Sequence, residues 1–449
     1  MPYLGNKSAL IVTAEKVQRI GLKRRKLTPL SGAFFWLSAF YLVYCARPED
    51  WIPGLKYIPL AKITGVLAFV GLLWSLGKTQ RSFRDLPREA AYLLMLIGVL
   101  FLSAFLSPIW RGGAFFHTLD FSKVYVAWVL TFLLVTEFER LRRIILIQSG
   151  SVAVICAVSI IKGHSQPRLE GVVGGIYSNP NDLAFSIVLT LPFCTAFLLT
   201  TKSLRGRLFW TGSMLVMAIA LFMTASRAGF ITLVISGAVS LWHFGVKGRR
   251  LALVVATALI GTLLLIVAGR PLLHRFSAIT EEGGNTQQEE TAYESYEQRK
   301  FLMRKAVEGI EHYPVLGLGA RNFQVYSTVW HDVHMTYLQI AVEGGIPSLL
   351  LYLSFFYCCF KNVRQLRQRR DLDSQTVLLV GGLHSSMVGF VVGALFAPEA
   401  YQYFPYFAVA YTSVLVAIVK ERDQTRKPAT DPRKVYANNE RSSPFALVR

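Results

Sequence analysis

The sequence predicts an all-α polytopic membrane protein with about 12 transmembrane helices and one long extramembrane loop that contains a helix of its own. Three observations predict it. Hydrophobic residues are 53% of the 449 positions and charged residues only 17%, with a mean hydropathy of +0.41. A soluble chain of this length divides into domains and carries more charge. Apolar runs of span length recur from end to end, and a helix is the form in which such a run satisfies its backbone groups inside lipid. Lys and Arg also alternate from loop to loop.

The apolar runs are 27–46, 57–77, 90–109, 121–136, 144–161, 183–201, 208–223, 228–246, 251–269, 336–360, 376–396 and 403–419. The fourth is short and carries Lys123; Lys62 lies near an end of the second, where its long stem lets the ammonium reach the interface. The tail before residue 27 is basic, and so is every even-numbered loop, for example Lys202, Arg205 and Arg207 in the sixth and Lys247, Arg249 and Arg250 in the eighth. Odd-numbered loops carry few cations, apart from the long ninth. This alternation is the positive-inside pattern for a chain with both termini in the cytoplasm. It makes 1–26 a cytoplasmic basic tail, 27–420 a single transmembrane domain with the outer loop 270–335 between the ninth and tenth runs, and 421–449 a cytoplasmic tail. The first 26 residues are too long and too charged to open a signal peptide.

The same argument removes other classes. A net charge of +21 in a soluble chain would suggest nucleic acid, but here topology accounts for the cations and no nucleic-acid partner is expected. Cys45, Cys156, Cys194, Cys358 and Cys359 fall in or beside apolar runs without metal-ligand spacing, so they read as small core residues. There is no phosphate-binding glycine motif, no dinucleotide fingerprint and no haem or thiol-metal spacing.

Four outer segments then hold the candidates for chemistry. In the fifth loop, Asn179, Pro180 and Asp182 suit a helix N-terminus as cap, first residue and dipole partner; Asn181 and Asp182 are also able to bond sugar hydroxyls. In the seventh, Arg227 sits at the start of a span, where an anion would meet both its guanidinium and free N–H groups. The plainer reading is an interfacial arginine meeting lipid headgroups. In the ninth, residues 281–297 are polar and acidic and read as mobile. Residues 298–313 read as a helix, with Arg299, Leu302, Met303, Ala306 and Ile310 on one face. Arg299 on that face needs a carboxylate, phosphate or carbonyl partner; Arg304 lies on the polar face. Arg321 follows the Gly317–Gly319 turn and is placed to reach the same site. His331 and His334 are three apart and with Asp332 could make a metal site, but no further ligand stands at suitable spacing, so a histidine that takes or orients a proton is the better reading of His334. His384 and Glu343 fall inside spans. The eleventh loop is the short run from Pro398 to Gln402.

Four stretches in this order, GGIYSNPNDLA (174–184), TASRAG (224–229), QRKFLMRKAVEGIEHYPVLGLGARNF (298–323) and VHMTYLQIAVEGGIPSLLLYL (333–353), resemble the bacterial O-antigen ligase and O-antigen polymerase superfamily. RPEDWIPGL (47–55) also looks like members of it. The resemblance implies a GT-C-like glycosyltransferase of the bacterial inner membrane with its active site at the periplasmic face. It implies a donor glycan on undecaprenyl pyrophosphate, inverting transfer, and no metal or cofactor. The acceptor is a lipid A–core sugar in ligases, another repeat unit in polymerases, and a protein hydroxyl in related oligosaccharyltransferases. By position, His334 matches the family histidine, Arg227 the arginine of the SRAG segment, and Arg299 the arginine that opens the loop helix. Arg321 joins them as a pyrophosphate ligand, and Asn179, Asn181, Asp182, His331 and Tyr337 stand as glycan or acceptor contacts. Met335 departs from the family, where Asn or Ser usually follows the histidine. A transporter with twelve spans is the alternative from another class; a mid-membrane cavity lined by His384 or Glu343 would favour it.

Overall fold

A computed structural model describes residues 31–75, 80–162, 168–171, 176–177, 179–268 and 287–426. The basic tail 1–26, the start of the first apolar run, residues 281–286 of the acidic stretch and 427–449 lie outside the described residues. Each of the twelve apolar runs falls on a helix: α1 (Ser31–Ala46), α2 (Leu60–Trp74), α3 (Arg88–Phe105), α4 (Arg111–Leu134), α5 (Phe138–Lys162), α6 (Pro180–Thr200), α7 (Leu204–Met223), α8 (Arg227–Leu241), α9 (Leu251–Ala268), α11 (Thr336–Arg367), α12 (Ser374–Gly393) and α13 (Tyr403–Arg426). The loop helix α10 (Gln287–His312) stands between α9 and α11. No strand occurs among the described residues. Eight of these helices are long and apolar enough to cross a membrane; α1, α2 and α9 are shorter apolar helices, and α4, which carries Asp120 and Lys123, is in neither class.

Burial sorts the helices. α6 and α13 have 78% of their apolar window inside the bundle, against 28% for α8 and its extension. Apolar helices that stay exposed must face lipid, because in lipid an exposed Leu costs nothing. α6 packs on α7, α8 and α12, while α3 packs on α4 and α11. α8 continues as a π turn, Trp242–Val246.

The acidic stretch is corrected by the structure. α10 begins at Gln287, eleven residues before the expected start, so 287–297 is helix and not mobile loop. Its Gln, Glu and Ala are good helix formers, and that local preference holds even in a polar segment. Met303 is 40% exposed and lies off the packing face; Leu302 and Ala306 are fully buried, one and two turns beyond Arg299.

The junction of α10 and α11 is built on a helix break. Gly345 has φ 77° and ψ 173°, which interrupts α11, and Pro347 follows. Pro347 has no N–H for the carbonyl of Glu343, and the N–H of Ile346 donates to Pro314 O at 2.8 Å. Two carbonyls are thereby released. Val342 O accepts from Leu318 N at 2.9 Å and Glu343 O from Gly319 N at 2.8 Å, with Ser103 Oγ also donating to Glu343 O at 2.9 Å. The 314–319 turn therefore docks on the broken helix by backbone bonds. Gly317 has φ +65°, and a Cβ there would lie 2.6 Å from Val342 O; at Gly345 it would lie 2.1 Å from Val315 O.

Gly345→Ala is accordingly expected to lower stability in detergent by about 2 kcal/mol or more, since that backbone region is nearly exclusive to glycine. Gly98→Ala in α3, where an added Cβ meets nothing within 4 Å, is expected to be neutral or slightly stabilising. Thermal unfolding of the two purified variants measures the contrast.

Candidate functional site

α10 lies against the start of α11. Leu302 and Ala306 pack with Leu318, Phe323, Val333 and Val342 in a small core separate from the main one. Arg299 lies one turn before Leu302 on the same helix, close enough for its charge to act on His334. His334 stands two residues before Thr336, the first residue of α11, and its Nδ1 is buried with no hydrogen-bond partner among the described residues. Its imidazole is pushed down from the ordinary 6.5 to about 4, first by burial, then by the Arg299 guanidinium and then by His331. It is neutral at pH 7. His331 itself is exposed.

A second wall comes from the fifth and seventh loops. Asn179 caps α6, its side chain accepting from Asn181 N at 2.9 Å. Asn181 Oδ1 accepts from Ser226 Oγ at 2.8 Å and from Arg168 Nη2 at 3.4 Å, and Arg168 Nε donates to Thr224 O at 2.9 Å. Arg168 thus ties the two loops together. Ser226 caps α8 through Gly229 N at 3.1 Å, which makes Arg227 the first residue of that helix, half-buried. The preceding Ala225 has φ 47°, a left-handed conformation that costs an alanine about 1–2 kcal/mol. Strain of this kind is kept where the chain must turn sharply to place a side chain.

A third group stands at the start of α13. Arg321, itself at φ 59°, has Nη1 3.6 Å from Asp332 Oδ2 and lies over the Tyr401 ring at 5.9 Å. Gln324 Nε2 donates to Asp332 Oδ1 at 2.9 Å. Tyr401 donates to Glu343 Oε2 at 2.5 Å. Glu399 is 3% exposed, and burial together with the neighbouring Asp182 raises its carboxyl well above the usual range, so it carries the proton of that hydrogen-bonded pair. Tyr337 donates its hydroxyl to Val391 O at 2.8 Å.

A cavity adjoins this third group. It measures about 760 Å³ and is lined by Arg321, Tyr401, His117, Lys62, Tyr44 and Phe69 among others. Val66, Phe69 and Val126 on its wall are 59%, 40% and 41% exposed, so it opens on the apolar flank of the bundle. Of the sequence-derived site residues only Arg321 lines it; His334, Arg227 and Arg299 do not. Neither His384 nor Glu343 lines it.

The structure therefore joins Arg299 to His334, Asn181 to the segment of Arg227, and Asp182 to Glu399. It places Tyr337 and Asn179 in packing and capping bonds. Sequence reasoning missed Glu399, Tyr401 and Arg168 as contributors and weighed Asp332 only as a metal ligand. A carboxylate in a five-residue loop between apolar runs was the available signal for Glu399.

Residues 212–353 match the family profile described as O-antigen ligase. The match supports the O-antigen ligase/polymerase superfamily, whose members are glycosyltransferase-like. It takes in Arg227, Arg299, Arg321 and His334 and leaves out Asn181, Asp182 and Glu399. No curated protein matches the chain.

The depressed imidazole also predicts a pH dependence of stability. The unfolded chain binds a proton at His334 below its ordinary 6.5, whereas the folded chain resists it until about 4. Stability is full above that window and is lost as pH falls through it. Thermal melts from pH 7.5 to 4 are expected to fall less steeply in His334→Gln than in the parent chain.

Proposed function

We propose that this multi-pass membrane protein transfers a glycan from undecaprenyl pyrophosphate to an acceptor hydroxyl at the periplasmic face of the inner membrane, in the manner of an O-antigen ligase. The reading includes the twelve-span topology with both termini cytoplasmic, a GT-C-like bundle and inverting transfer. The observation that carries it is a half-buried, neutral imidazole with a buried, unpartnered Nδ1 beside a guanidinium, on the face where the long loop packs back on an apolar bundle. The flank-opening cavity supports a substrate that arrives through lipid, and its cationic and aromatic lining suits a membrane-anchored phosphate.

The chemistry follows from charge. Arg227, Arg299 and Arg321 clamp the pyrophosphate and offset the charge that grows as the sugar–phosphate bond breaks. The acceptor oxygen attacks the anomeric carbon on the opposite side, the lipid pyrophosphate departs, and the hydroxyl proton passes to His334. Arg299 serves twice. With no donor it adds to burial in holding the imidazole neutral; once the pyrophosphate neutralises it, the imidazolium becomes easier to form and His334 becomes a stronger base. Asn181, Asp182 and His331 are the nearest polar groups for acceptor hydroxyls, with Asn179 and Tyr337 behind them. Neither a metal nor a cofactor enters the scheme.

Reconstitution with an undecaprenyl-pyrophosphate glycan and three separate acceptors tests the proposal: lipid A–core, a second repeat unit and a Ser/Thr peptide. Product with lipid A–core identifies a ligase, product with the repeat unit a polymerase, and product with the peptide a protein O-oligosaccharyltransferase. His334→Ala and Arg227→Ala are each expected to lower turnover by at least about a hundredfold at unchanged expression. Full activity in both sinks the mechanism.

The pH profile provides a separate check. The acid limb of kcat/KM, which reports the free enzyme, is expected at lower pH than the limb of kcat, which reports the donor complex. Coincident limbs would separate Arg299 from control of the base.

A further inference from the structure

The helices that begin or end at the candidate site carry a second cavity at their opposite ends. α8 opens with Arg227 and runs to the π turn at Trp242–Val246; α11 opens beside His334 and ends at Arg367; α12 begins at Ser374. Between these ends lies a cavity of about 290 Å³ lined by His243, Lys247, Arg250, Arg367 and Arg369, over an apolar floor that includes Phe244. No acidic side chain lines it.

The cations divide into two sets. Arg369 is held by Asp371 and Asp423, and Arg422 by Asp371. Asp373 is turned to its own helix, where it caps Thr376 N at 3.2 Å. Those carboxylates are therefore engaged outside the cavity. Lys247, Arg250 and Arg367 have no ion pair among the described residues. Three cations around one concave surface repel one another, and an anion between them relieves that. The π turn sets His243 and Lys247 at the mouth, and such turns are frequent at functional sites. His243 Nε2 lies 2.9 Å from His384 Nδ1, which fixes the ring against the neighbouring helix. Gly381 makes room, since a Cβ there would stand 3.1 Å from the Phe244 ring.

We infer that this cavity binds the phosphate headgroup of an anionic membrane phospholipid. A phosphodiester supplies the charge the three cations lack. The flanking Trp242 and Val246 are 58% and 56% exposed, an aromatic and an aliphatic side chain at the helix end where acyl chains begin. A free phosphate would have no use for that apolar floor. The inference rests on the lower ends of the bundle alone and stands apart from the transfer reaction.

Native mass spectrometry of the delipidated full chain, titrated with phosphatidylglycerol, phosphatidylcholine or inorganic phosphate, tests it. One tight phosphatidylglycerol adduct is expected, with no equivalent for phosphatidylcholine. The variant Lys247→Gln/Arg250→Gln/Arg367→Gln is expected to lose at least about tenfold in affinity, whereas Arg250→Lys retains it. Arg142→Gln/Arg143→Gln, on the basic start of α5, is the control and is expected to bind as the parent does. Unchanged binding in the triple variant overturns the site. Equal loss in the control overturns it too, by showing a general charge effect. Displacement by inorganic phosphate as potent as by the lipid overturns the lipid assignment. Melting temperatures of all variants separate loss of the site from loss of the fold.

Discussion

Pro347 has no N–H to offer Glu343, and Ile346 turns its own N–H to the carbonyl of Pro314. From that small defect the arrangement of the upper face follows. Buried carbonyls must be satisfied, and the 314–319 turn satisfies them with Leu318 and Gly319. The turn in turn fixes where α10 ends, hence where Arg299 lies along its face, and it fixes Arg321 just beyond. An unbroken α11 would keep its carbonyls for itself and leave the long loop no backbone ladder to dock on. Gly345, Gly317 and Gly319 are needed because the chains approach too closely for a Cβ.

Charge is then distributed with economy. Four acids near the candidate site are each paired: Asp332 with Arg321, Asp182 with Glu399, Glu343 with Tyr401. Each pairing removes an isolated charge from low-dielectric surroundings, where it would be costly. Arg299 and His334 are combined differently. Here burial, with a cation beside it, keeps a base neutral, an arrangement that favours an incoming anion. Strain is placed nearby, with Ala225 and Arg321 in left-handed conformations next to the residues they position.

The bundle carries polar clusters at both ends of the same helices. The end with Arg227 and His334 is layered with paired acids and a cavity that opens sideways. The opposite end is a basic cavity with its acids drawn outside. That difference follows the loop-charge alternation: one face of the bundle collects cations, and the helices that collect them are the ones that reach the site.

Fold class and most element positions were legible in the sequence, because span length and loop charge are properties of local composition. The twelve apolar runs all fall on helices, and the 3.6-residue spacing placed Leu302, Ala306 and Ile310 on a shared packing face but wrongly included Met303, which is exposed. The helical start at Gln287 was missed because polarity alone was read as mobility, although Gln and Glu favour helices. The motif residues were visible as well; what they touch was not. That Asp332 faces Arg321, that Glu399 shares a proton with Asp182 and that Arg168 braces Asn181 join positions 11 to 217 residues apart in the chain. No local pattern encodes such contacts. They arise when helices of fixed length pack and a broken helix must find partners for its carbonyls, which is a property of the assembled bundle.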